Sequence, residues 1–78
     1  MQLSREEYKR YIAIVSRKAV EAGFRFVEIR SYSGLHIPVV IDVSDLDDVR
    51  KGNIKDIKWK INKEEYTLDS MIDYLMSK

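Results

Sequence analysis

The residues best placed to do chemistry together are Asp42 and the run Asp56-Ile57-Lys58. Two carboxylates at one end of a pair of strands can hold a divalent cation such as Mg²⁺. A lysine two positions beyond the second can stabilise charge on an attacked phosphate. Parity favours the grouping: on extended chain, Asp42, Asp56 and Lys58 all fall opposite Ile41, Ile57 and Trp59. Glu6 or Glu7 would bring a further carboxylate from a preceding helix. The same acid-x-Lys spacing recurs at Glu7-Tyr8-Lys9, however, and charged residues make up 35% of the chain, so the pattern arises easily. Polar residues opposite an apolar face are also what any half-buried strand presents.

The spacing is similar to that of PD-(D/E)XK nucleases, and that likeness implies a metal-dependent nuclease built on Asp42, Asp56 and Lys58. The other chemical candidates are weaker. His36 is the single histidine, and no serine, thiol or second histidine forms a relay with it, so a structural or solvated role is expected. Asp45, Asp47 and Asp48 lack the spacing of a calcium loop and suit the first turn of a short helix instead. Gly23, Gly34 and Gly52 stand alone and form no phosphate-binding loop. Cysteine is absent, which excludes disulfides, thiolate metal sites, thiol nucleophiles and Fe–S clusters. No catalytic set and no cofactor pattern emerges.

Charge is segregated although the net charge is only +1. Residues 32–49 hold four aspartates and no basic group; residues 50–63 hold six basic groups against one aspartate. The basic block is Arg50, Lys51, Lys55, Lys58, Lys60 and Lys63, with Trp59 and Tyr32 as nearby aromatics. It reads as a candidate nucleic-acid contact. It reads more simply as a solvated sheet face whose lysines guard against edge association.

These residues must be positioned by elements that the pattern predicts in some detail. Ser4 and Glu7 have capping-box spacing, and Leu3 and Tyr8 that of a hydrophobic staple. Tyr8, Tyr11, Ile12, Val15, Ala19 and Ala22 make one helical stripe, ended by Gly23 with Phe24 free to fold back. A helix is expected over residues 4–22. Residues 24–30 favour a strand, with a slip in alternation between Phe26 and Val27 that predicts a bulge or burial on both faces. After the turn Ser31-Tyr32-Ser33-Gly34, the residues Leu35, Ile37, Val39, Ile41 and Val43 alternate with His36, Pro38, Val40 and Asp42. Pro38 predicts an open edge at that point. Residues 44–52 read as a short helix capped by Ser44 and ended by Gly52. Ile57, Trp59 and Ile61 predict a third strand. Asn62-Lys63 predicts a two-residue turn that sets Trp59 opposite Tyr66 on a short fourth strand at 64–66. Thr67 caps a last helix carrying Leu68, Met71, Ile72, Leu75 and Met76, where the methionines are packing residues.

The expected fold is therefore α+β, in the order α-β-β-(short α)-β-α: a small antiparallel sheet of three or four strands with both main helices on one face. That order is similar to double-stranded RNA-binding domains and to small ribonuclease toxins of the same fold. The local likeness lies in Gly34-Leu35-His36 within the first hairpin and in Arg50-Lys51-Gly52-Asn53. Where such domains carry a phosphate-clamping lysine cluster, this chain reads Thr67-Leu68-Asp69-Ser70, and the Gly-Ser-His of the toxins is missing. The resemblance is topological.

Seventy-eight residues suit one domain. The 45% hydrophobic content excludes a disordered chain, and no apolar run is long enough for a transmembrane helix. The polar start predicts no signal peptide, and together with the lack of cysteine it predicts a cytoplasmic location. Asn53, Asn62 and Gln2 are the only side-chain amides. With so many charges, the composition resembles that of thermophile proteins. A chain this short buries about 60% of its unfolded surface, so self-association is expected. The leading expectation is a non-catalytic interaction module that meets a protein or a second copy, with a nucleic acid as the alternative partner.

Overall fold

A computed structural model describes residues 3–77. The first helix, α1 (Arg5–Glu21), starts where its capping box requires. The Glu7 amide donates to Ser4 Oγ at 3.2 Å, and the Ser4 amide donates to Glu7 Oε1 at 2.9 Å. It ends in a Schellman pair, with Gly23 N–H donating to Val20 and Phe24 N–H to Ala19. Gly23 takes the left-handed conformation at φ 86° that this ending needs. The backbone half of the expected C-terminal motif is formed. The ring of Phe24, however, does not bury itself on the last turn: it is 56% exposed.

Two strands follow, β1 (Phe26–Arg30) and β2 (His36–Ile41), paired without interruption from Phe26↔Val40 to Arg30↔His36. There is no bulge in this ladder. The slip in the sequence pattern arises because Phe26, though apolar, lies on the outer face of the strand, and Phe24 precedes it. Burial then alternates cleanly, with Val27 and Ile29 inside and Phe26, Glu28 and Arg30 outside. In β2, Ile37, Val39 and Ile41 point inward. Leu35 and Val43 share their parity but lie beyond the strand ends, and they are 60% and 46% exposed rather than buried. Parity fixes a side chain's face only while the ladder lasts.

The segment after β2 is a 3-10 turn (Val43–Asp45) running into the short helix α2 (Leu46–Lys51), which ends on Gly52 at φ 81°. Asp42, rather than Ser44, caps it: the Asp42 carboxylate accepts from the Ser44 amide. The third strand, β3 (Trp59–Ile61), is shorter than predicted, because Ile57 is buried in the loop before it. It turns through Asn62 and Lys63 into β4 (Glu64–Tyr66), with Trp59 opposite Tyr66 as the sequence predicts. The last helix is α3 (Leu68–Met76), capped by Thr67.

The four strands form one antiparallel sheet in the order β1-β2-β3-β4, so the fourth strand is present and the fold is α+β. β3 pairs with β2 only at Val40 and Ile41. Pro38 therefore lies past the end of that ladder, where its missing N–H costs no hydrogen bond. One sheet face, built from Val27, Ile29, Ile37, Val39, Ile41, Trp59 and Ile61, merges into a single core with Tyr8, Ile12 and Val20 of α1 and Leu68, Met71, Ile72 and Leu75 of α3. Arg5 ties the two helices at the rim, pairing with Asp69 at 3.3 Å and with Asp73.

Asn62 (φ 51°) and Lys63 (φ 72°) both sit at positive φ, as a two-residue type I′ hairpin demands. Asparagine tolerates this; lysine is strained by its Cβ. Lys63→Gly should therefore stabilise the domain by about 0.5–1 kcal/mol, the relief of strain exceeding the extra chain entropy glycine loses. A rise in the urea midpoint with unchanged slope is the expected reading.

Candidate interaction surface

The face of the sheet opposite the helices is open to solvent. Its rows follow from the register. One row runs Phe26–Val40–Lys60–Glu65 across all four strands; the next holds Glu28 and Pro38, and the last Arg30 and His36. At one corner the apolar residues gather. Phe26 is 56% exposed and Val40 40% exposed, and they are direct cross-strand neighbours. The ring of Phe24 meets that of Phe26 edge-on at 6.4 Å between centroids. Two aromatic rings packed on each other in water, beside Val40, are the feature of this surface that solvent alone does not explain.

The edge next to this corner is also unpaired. The Ile41 amide bonds to Arg25 and the Ser31 amide to Leu35, which sets the alternation of the β1–β2 ladder. The N–H groups of Phe26, Glu28 and Arg30 must then point away from β2. That of Arg30 donates to the hydroxyl of Tyr11 at 3.4 Å. Those of Phe26 and Glu28 face outward along a free strand edge.

The basic block is spread over four successive parts of the chain. Arg50 and Lys51 end α2, where Arg50 pairs with Asp47 at 3.4 Å. Lys55 lies in the loop before β3, and Lys63 in the turn after it. Only Lys58 and Lys60 share the outer sheet face, and there they meet acid. Asp42 has its carboxyl held below the ordinary aspartate value, first by the backbone N–H of Ser44, then by the Ser44 hydroxyl, with Lys60 and Lys58 adding charge. Those hydrogen bonds are 2.9 Å and 2.7 Å, both to Oδ1. On this face Glu28, Asp42 and Glu65 offset Arg30, Lys58 and Lys60, so neither sign prevails.

Sequence parity grouped Asp42, Asp56 and Lys58 on extended chain; in the structure all three lie outside the strands, Asp42 half-buried and Asp56 and Lys58 exposed, beside the buried Ile41, Ile57 and Trp59. The hydrogen bonds around them are structural. Asp42 caps the turn after β2, and the backbone N–H of Lys58 donates to Asp45 at 3.2 Å, pinning the loop before β3 to the 3-10 turn. Asp56 is exposed in that loop. Among the described residues no three His, Cys, Asp or Glu side chains are grouped so as to hold a metal ion. His36 lies at the far end of the β1–β2 hairpin, accepting from Arg30 Nε at 3.5 Å. Among the described residues no helix is long and apolar enough to cross a membrane. The sequence put Val40 on the outward parity of β2, but it did not show the exposure of Phe24, expected to fold back on α1, or of Phe26, expected in a bulged or doubly buried strand.

The cap at Asp42 has a pH signature. A carboxyl lowered on folding adds stability at pH values above its unfolded value, and that stability is lost as pH falls through the folded value. Asp42→Asn should therefore weaken the acid dependence of unfolding below about pH 4 while leaving its slope near pH 7 unchanged. Urea titrations at a series of pH values read this directly; parallel acid limbs for variant and parent would contradict it.

No family model matches the sequence, and no curated protein and no solved structure matches it. The class that the chain's own geometry defines is a small α+β domain with one helix-covered and one bare sheet face.

Proposed function

We propose that this protein is a non-catalytic interaction module that binds protein through its bare sheet face, and that the partner is a second copy of the chain. The observation that carries the reading is the exposed Phe24–Phe26 ring pair beside Val40, next to unpaired N–H groups of the β1 edge. A patch carrying both signs of charge in equal number suits an isologous interface, in which Glu28 of one copy can meet Lys60 of the other across a two-fold axis. Size argues the same way, because a domain of this length gains stability by covering apolar surface that it cannot bury alone. The even charge balance weighs against a nucleic-acid face, which concentrates cations.

Amide NMR spectra over a wide concentration range test the proposal. Concentrating the protein should move or broaden the resonances of residues 24–28 and 38–41, and Phe26→Ser should abolish the effect without altering the helical signals. Shifts confined instead to residues 50–63 on adding short duplex RNA at low salt would replace this reading with phosphate binding by the lysines. No concentration dependence at all would refute self-association.

A further inference from the structure

At the end of the β1–β2 hairpin away from the phenylalanine corner lies an open cleft of about 430 Å³, lined among the described residues by Leu3, Tyr11, Arg30 and His36. The two ends are four strand residues apart, roughly 13 Å. The cleft is formed where Leu3, ahead of α1, and Tyr11, in its second turn, meet the end of the β1–β2 hairpin, and its hydrogen bonds leave donors unspent. The Tyr11 hydroxyl accepts from the Arg30 backbone N–H at 3.4 Å, so its own proton remains to be given. Arg30 donates Nε to His36 Nε2 at 3.5 Å, which holds the guanidinium by its inner nitrogen and leaves the two terminal ones unspent. The remaining guanidinium N–H groups of Arg30 have no carboxylate partner among the described residues. Among the described residues no acid lines the cleft, whereas Leu3 and the Tyr11 ring supply an apolar wall.

We propose that this cleft binds a small organic carboxylate, its anionic head on the Arg30 guanidinium and the Tyr11 hydroxyl and its apolar body against Leu3 and the Tyr11 ring. Arginine presents paired N–H groups that match the two oxygens of a carboxylate, which a hydroxyl or an ammonium cannot use. The volume falls in the range of small-molecule pockets and admits a group of about one ring. His36 orients the arginine by accepting its Nε–H, leaving the two terminal nitrogens for the ligand.

Benzoate and its neutral analogue benzyl alcohol are the probes, titrated at pH 7 into the full chain and followed by amide NMR. Benzoate should give saturable shifts at Tyr11, Arg30 and His36, benzyl alcohol should bind at least tenfold more weakly, and Arg30→Gln should weaken benzoate at least tenfold. Tyr11→Phe should cause a smaller loss, removing one donor and keeping the apolar wall. Arg30 is exposed, so Arg30→Gln should fold as the parent does, which the same spectra verify. Equal binding of the two probes, an unaltered affinity in Arg30→Gln, or no saturable shift with benzoate would each overturn the proposal.

Discussion

Trp59→Ala should cost about 3–5 kcal/mol, the range for removing a fully buried large aromatic side chain. Trp59 has no exposure and is the largest side chain in the core. It sits on β3, the strand that joins the β1–β2 hairpin to β4, with Ile41 on one side and Tyr66 on the other. Losing it removes apolar contact at the middle of the sheet and leaves a hole under three strands at once. Small domains have total stabilities of roughly 5–15 kcal/mol, and one of this size belongs near the lower end. The variant is therefore expected to be largely unfolded at room temperature, or to show a urea midpoint reduced by more than half. A shift of less than about 1 kcal/mol would mean that β3 and β4 are not held as described.

Tyr8 should respond with opposite signs to two substitutions. Its ring is wholly buried in the α1 face of the core, while its hydroxyl is buried with no hydrogen-bond partner among the described residues. Burial raises the phenol's pKa above its ordinary value, with Tyr11 and Tyr32 adding to the shift. Tyr8→Ala removes the ring and should cost about 3–5 kcal/mol, as for other large core aromatics. Tyr8→Phe keeps the ring and deletes the orphaned hydroxyl, and it should stabilise by about 1 kcal/mol, since a buried unpaired polar group carries a desolvation penalty of that order. Calorimetry would read the second change as a rise of about 4–8 °C in Tm. A loss of stability in Tyr8→Phe would show that the hydroxyl has a partner after all, such as a bound water.

Much of the fold was legible because its punctuation is local. Ser4 with Glu7, Gly23, Gly52, Thr67 and the pair Asn62-Lys63 each satisfy a backbone requirement set within a few residues, and the elements start and stop at them. Trp59 opposite Tyr66 followed from the turn length alone. The errors came where a distant ladder decides. Leu35 and Val43 continue the parity of β2 but not its pairing, so they are exposed. Ser44 looked like the cap because serine often is one, yet Asp42 stands at the end of the strand where its carboxylate reaches the Ser44 amide.

The interaction surface was the least legible part. Phe24 and Phe26 are large and apolar, and a sequence pattern assigns such residues to the core by default. Only the register, which places Val27 and Ile29 inside, shows that these rings face water. The run of cations from Arg50 to Lys63, preferred in sequence as a solvated face, is spread over several elements. Contiguous in sequence, it is divided by the path of the chain between the end of α2, the loop before β3, the outer face of the sheet and the β3–β4 turn. Where two of its lysines do meet, Asp42 lies with them.

Sedimentation equilibrium across a hundredfold range of protein concentration, on the parent chain and on the double variant Phe24→Ser/Phe26→Ser, tests the central claim most directly. The account predicts that the parent moves from monomer toward dimer as concentration rises, while the double variant stays monomeric with an unchanged circular dichroism spectrum. A parent that remains monomeric throughout, or a double variant that dimerises as the parent does, would contradict it.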